Sequence, residues 1–259
     1  MTTTAGCLLE VEVDHPAQAV VSVAAAAAAT SESLRLDVDG TVLAVREVRG
    51  DHGTRLHLAD LPAGRLTLRY DVQLDPPATS RVVTESERLV ALRPSRYCPS
   101  DLLLPWAVGA FGTRDSSTVE RVVSWVRGHL AYDGTASRPV DSAVDTLLTA
   151  RGVCRDYAHL VVAVLRALEV PARVVSVYAP GLSPMDFHAV AEVEDRGQWQ
   201  LHDATGLAPR PSMLRIATGR DAADTAFLST TGGTVTVVGA QVWASTDGPL
   251  PADAPTALA

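Results

Sequence analysis

A chain of 259 residues is long enough to bury one large core or two ordinary ones. With 47% hydrophobic and 20% charged residues it has the composition of a compact globular protein, and a formal charge of −8 argues against nucleic acid or an anionic membrane as a partner. All 22 basic residues are arginine, so the chain offers no lysine amine of its own for cross-linking.

At the N-terminus no basic segment precedes an apolar run, and no stretch approaches the ~20 apolar residues that span a bilayer. A cytoplasmic protein is expected. Cys7, Cys98 and Cys154 are too few and too scattered for a disulfide framework. Residues 8–13, 33–38, 41–48, 54–58 and 66–74 alternate apolar with polar, and Asp39-Gly40, Gly50-Asp51-His52-Gly53 and Pro62-Ala63-Gly64 punctuate them. That pattern predicts a small antiparallel β-sandwich over residues 1–95. Residues 20–29 are ambiguous. Six consecutive alanines favour helix by propensity, whereas the flanking strands favour strand for at least the first half.

Asp75-Pro76-Pro77 marks a loop, and residues 94–99 lead into the second part. Cys98, among prolines with no histidine nearby, reads as structural. Ser116 or Ser117 caps a helix with Val119, Val122, Val123 and Val126 on one face, and Glu120 sits where a capping box would need it. Tyr132-Asp133-Gly134 is a loop, and a short helix covers about 142–149. Arg151 then places a cation near Cys154, although a solvated loop arginine fits it equally well.

Gly152-Val153-Cys154-Arg155-Asp156-Tyr157-Ala158 opens a helix to about residue 169, with Tyr157, Leu160, Val161, Val164, Leu165 and Leu168 on one face. Cys154 therefore falls in the first turn, where unpaired N–H groups and the helix dipole favour an anion. Asp156, two residues on, opposes a thiolate. The same N–H groups could cradle an oxyanion. Residues 187–194 and 199–203 alternate around an Asp195-Arg196-Gly197-Gln198 turn. If Glu194 faces Trp199, then His188 and Asp203 are diagonal neighbours on one face, within reach of an imidazole–carboxylate hydrogen bond.

The order Cys, His, Asp, with its G-V-C-R-D-Y-A, H-A-V-A-E-V-E and W-Q-L-H-D-A-T blocks, resembles the transglutaminase-like superfamily, a circularly permuted relative of the papain-like cysteine peptidases. Residues 170–178 and the Gly-Arg-Asp-Ala-Ala-Asp segment from Gly219 to Asp224 extend the resemblance to bacterial members with an N-terminal β-domain. The resemblance implies an α+β fold: an antiparallel sandwich (1–95), then a transglutaminase-like catalytic domain (96–244) whose nucleophile sits at a helix N-terminus packed on an antiparallel sheet. It also implies Cys154 as nucleophile, His188 as general base and acid, and Asp203 as the group that orients the imidazole. Two positions depart from the family pattern, Val190 for its aromatic and Ala204 for its proline.

Residues in these roles imply an acyl-transfer enzyme acting on a peptide or protein amide, most simply by hydrolysis through a thioester, since no calcium loop of the Asp-x-Asp-x-Asp type appears. A cross-linking transamidase and a catalytically weak peptide-binding scaffold are the alternatives. No cofactor or metal is expected. His159 lacks a carboxylate at metal-binding spacing. His202, next to Asp203 on a strand, points away from it. Asp221 and Asp224 suit helix capping better than a cleft. Residues 234–242 form a last strand, and 245–259, rich in Pro and Ala, are expected to be a disordered tail.

Overall fold

The structure, a computed structural model, describes residues 2–75 and 82–258; Pro76 and Pro77 of the expected loop lie outside them. Seven strands come first: β1 (Thr3–Val13), β2 (Ala17–Val21), β3 (Ser31–Val38), β4 (Thr41–Val42), β5 (Arg46–Arg49), β6 (Arg55–Leu61) and β7 (Gly64–Leu74). Alternation sends Cys7, Leu9 and Val11 of β1, Leu36 of β3, and Leu66, Leu68 and Tyr70 of β7 into one core. Each large apolar side chain so buried contributes about 1.5–3 kcal/mol, which is what holds two sheets face to face.

The second part runs α1 (Glu85–Val90), α2 (Ser100–Phe111), α3 (Thr118–His129), β8 (Ala131–Tyr132), α4 (Ala143–Thr149), β9 (Arg151–Gly152) and α5 (Cys154–Ala167). It continues with β10 (Ala172–Tyr178), β11 (His188–Asp195), β12 (Gln198–His202), β13 (Leu214–Gly219), α6 (Ala222–Thr225), β14 (Leu228–Thr231) and β15 (Val235–Thr246). An antiparallel sheet in the order β12-β11-β10-β13 carries α5 on one face, with α2, α3 and α4 packed around that helix. This is the α+β arrangement the sequence implies.

Burial of α5 goes further than its apolar stripe suggests, because every residue from Asp156 to Ala167 is inside. Its polar groups must then find partners within the protein. Arg166 donates to the carbonyls of Ala172, Arg93 and Arg220 and to the Ser95 hydroxyl. His159 accepts the Ala222 N–H at 3.1 Å through Nε2.

The domain boundaries differ from those expected. β15 pairs along β1 and β14 along β2, so residues 228–244, assigned by sequence to the catalytic domain (96–244), belong to strands that complete the sandwich sheets β15-β1-β7-β3-β4 and β14-β2-β6-β5. Alternation identifies a strand but not the open edge it will fill. The tail is a second correction. Ser245 and Thr246 end β15, and the segment beyond lies along the outer edge of β12. There the Thr256 carbonyl accepts the Leu201 N–H at 2.7 Å, Asp253 pairs with Arg210 at 2.9 Å, and Leu258 is buried against Val190 and Leu201. A sheet edge and an apolar pocket outweigh a composition that favours solvent.

Three local expectations also change. β2 stops at Val21, and the alanines beyond it are neither helix nor strand. Side chains and backbone from elsewhere satisfy that segment: Ala25 N–H donates to the Tyr70 hydroxyl at 2.9 Å, Ala26 N–H to the Arg215 carbonyl at 2.9 Å, and the Tyr178 hydroxyl donates to the Val23 carbonyl at 2.8 Å. Residues 41–48 break into β4 and β5. The capping box expected at Ser117 and Glu120 does not form; Asp115 instead accepts from the Ser117 and Thr118 hydroxyls.

Candidate active site

Cys154 is the first residue of α5, and the turn that delivers it is tightly packed. A Cβ on Gly152 would lie 2.6 Å from a carboxylate oxygen of Asp156, so only glycine allows that approach. Asp156 Oδ2 accepts the Val153 N–H at 2.9 Å, while Oδ1 pairs with Arg155 at 3.0 Å. The charge expected to oppose a thiolate is therefore taken up by the helix start and by Arg155. The Cys154 thiol is half-buried, with Sγ 3.9 Å from the Phe187 carbonyl. Arg151 is exposed and pairs loosely with Asp133 at 3.6 Å, which is its solvated reading.

The hairpin has the expected register, Glu194 opposite Trp199 and Ala191 opposite His202. His188 opens β11, Asp203 follows β12, and His188 Nε2 lies 3.0 Å from Asp203 Oδ2. An ionised carboxylate only accepts, so Nε2 carries the proton. The other ring nitrogen, Nδ1, is buried with no hydrogen-bond partner among the described residues, and Cys154 is the ring's second electrostatic neighbour. Burial favours the neutral ring, but the hydrogen bond to Asp203 and the proximity of Cys154 and of the Asp203 charge outweigh it and raise His188 to about 10. Burial likewise pushes the Asp203 carboxyl up. His188 and Thr205 more than offset this and hold it below the ordinary carboxylate value. Thr205 fills the other oxygen: its N–H and its hydroxyl donate to Asp203 Oδ1 at 2.8 and 2.7 Å. The three residues singled out by the sequence are thus brought together.

Sequence reasoning missed Tyr132, assigned to a loop. Its strand β8 pairs with β9, which sets Tyr132 opposite Gly152, two residues ahead of Cys154. Burial, followed by the charge of Cys154, pushes that phenol up to about 12. No local signal marks this residue, because a two-residue parallel pair between distant stretches of sequence has no periodicity to detect.

The remaining candidates fall away. His159 and His202 are pushed to about 4, chiefly by burial, and both stay neutral. Asp221 caps α6 by accepting the Ala223 N–H at 2.9 Å, and Asp224 pairs with Arg220 at 2.8 Å. Cys7 and Cys98 are fully buried and raised to about 12 by that burial. Val190 and Ala204 are core residues, Val190 beside Leu201 and Leu258, so neither departure from the family pattern opens the cleft. Among the described residues no cluster of His, Cys, Asp or Glu could hold a metal ion, and no helix is long and apolar enough to cross a membrane.

The chain is similar to known proteins along most of its length. Residues 108–204 match the profile of the transglutaminase-like superfamily. The chain is 30% identical to a candidate cysteine protease from Cytophaga hutchinsonii, whose crystal structure superposes with a TM-score of 0.84 over 96% of this chain and 93% of that one. It is also 28% identical over 221 residues to an uncharacterised protein of Mycobacterium leprae, covering 77% of this chain and 76% of the relative.

Proposed function

Because the chain belongs to the transglutaminase-like superfamily, we propose that it is a cysteine-dependent acyl-transfer enzyme that hydrolyses amide bonds of a peptide or protein substrate. The observation carrying this reading is one accessible thiol at a helix start, beside an imidazole that a saturated carboxylate orients.

In the mechanism, the Cys154 thiolate attacks the substrate carbonyl carbon. A C–S bond forms, and the carbonyl π pair moves onto oxygen, where N–H groups of the first turn of α5 donate to the oxyanion. His188, cationic in the resting pair, gives its Nδ1 proton to the leaving nitrogen as the C–N bond breaks, which leaves a thioester and a neutral imidazole. Nδ1 then takes a proton from water while the water oxygen attacks the thioester. The C–S bond breaks, acid product departs, and the thiolate–imidazolium pair is restored. Asp203 keeps Nε2 protonated throughout and stabilises the cation.

The test is a library of peptide amides with mass-spectrometric detection of an acyl group on Cys154. Wild type is expected to accumulate the thioester and release acid, and Cys154→Ala to do neither. Equal turnover by the two proteins would refute the proposal. Transfer to an added amine in preference to water would make the enzyme a transamidase.

A further inference from the structure

Asp203 stands one residue past the last paired position of its strand, since the β11–β12 ladder ends at Ala191 and His202. The sheet therefore does not fix its main chain. What does is a side chain from another element: Arg127, in the last turn of α3, donates through Nη2 to the Asp203 carbonyl at 2.8 Å and through Nε to the Ala204 carbonyl at 3.1 Å. Among the described residues this guanidinium makes no ion pair with a carboxylate, so its fork is given to two consecutive carbonyls. The loop closes around it at Gly206, where φ is +65° and a Cβ would stand 3.0 Å from the Arg127 Nη2. A planar, always-charged fork suits this task, because it fixes two acceptors in one plane where a single-point donor would leave the loop free to pivot.

α3 in turn packs on α5 through Val122 and Val126, so the same helix that braces Asp203 leans on the helix that begins with Cys154. We propose that Arg127 is a positioning residue for the catalytic centre. By holding the backbone of Asp203 it aims the carboxylate at His188 Nε2 and so keeps the imidazole cationic beside the thiolate. Among the described residues no hydrogen bond or ion pair joins it to the thiol or the imidazole, so it acts through Asp203.

The inference rests on the Cys154–His188–Asp203 reading, and the experiment separates the two. The His188 ring is titrated by nitrogen NMR in wild type, Arg127→Ala and Arg127→Lys, with His188→Gln for assignment, alongside the rate of Cys154 alkylation by iodoacetamide at neutral pH. Neither measurement needs the substrate. In wild type His188 should titrate far above an ordinary histidine, and Cys154 should alkylate much faster than Cys7 or Cys98. In Arg127→Ala the titration should move down by about one pH unit, the scale of one lost charge-assisted hydrogen bond, and alkylation should slow about tenfold. Arg127→Lys should fall between the two proteins.

A folded Arg127→Ala with wild-type titration and alkylation overturns the inference alone. Ordinary His188 titration together with slow labelling of all three cysteines in wild type overturns the parent reading as well. If Arg127→Ala does not fold, Arg127→Lys decides, and a wild-type titration in that variant counts against the proposal. A brace that served only stability would lower the melting temperature and leave the histidine titration where it was.

Discussion

His188 is strongly coupled to its charged neighbours, and the direction of its shift sets a pH window. Its pKa rises from 6.5 unfolded to about 10 folded. The folded state therefore gains from the protonated ring, fully below 6.5 and progressively less as pH climbs through 10. Asp203 runs the other way. It is held below its ordinary 3.8, so its contribution is present above that value and is lost on acidification. The difference in unfolding free energy between wild type and His188→Gln should be widest between these limits and shrink steadily toward pH 10. Denaturant melts at several pH values will check this, and a constant difference would contradict it. Thr205→Val makes a sharper test. It keeps the shape and removes the 2.7 Å hydroxyl bond to Asp203 Oδ1. A hydrogen bond to a charged group contributes about 1.5–3 kcal/mol, so kcat should drop roughly ten- to a hundredfold with KM little changed.

At the scale of elements, α5 is both the core of the second part and the mount for the nucleophile. Leu165 is completely buried on it, whereas Leu148, on α4, is 80% exposed. Leu165→Ala should cost about 2–5 kcal/mol by urea denaturation, and Leu148→Ala less than about 0.5 kcal/mol. Similar costs for the two would mean that α5 is not the packing centre. The same elements explain what the sequence made legible. The start of α5 and the β11–β12 register are local facts, written in a glycine before an apolar stripe and in a four-residue turn between alternating segments. From them came the meeting of His188 with Asp203. Tyr132 and Arg127 are brought in by long-range pairing and helix packing, and neither leaves a trace at short spacing. α2 escaped for a related reason: it is apolar nearly all round, with Leu102, Leu104 and Val108 exposed, so no polar face marks it as a helix.

The molecule as a whole is stitched across the boundary that composition suggested. Tyr178 of β10 and Leu214, Ile216 and Ala217 of β13 belong to the core of the sandwich, while β14 and β15 close its sheets from the far end of the chain. Within the second part, Glu192 is fully buried with Arg173 at 2.8 Å and with Arg215, and Arg173 reaches across to the sandwich, lying 3.2 Å from His52 Nδ1, as Glu87 does at 2.8 Å. Separating the parts would expose the core they share and break the contacts of His52 with Arg173 and Glu87. Unfolding should therefore be a single calorimetric transition rather than one for each part. A fragment of residues 1–95 should fail to fold, since without β15 and β14 the strands β1 and β2 each lose a pairing neighbour and the core loses one wall. Removing only residues 247–258 should be milder. It uncovers Val190 and Leu201 where Leu258 sits and frees Arg210 from Asp253, so the protein should still fold at a lower melting temperature. Two separate heat-capacity peaks in the full chain, or a cooperatively folded 1–95 fragment, would show that the two parts stand independently.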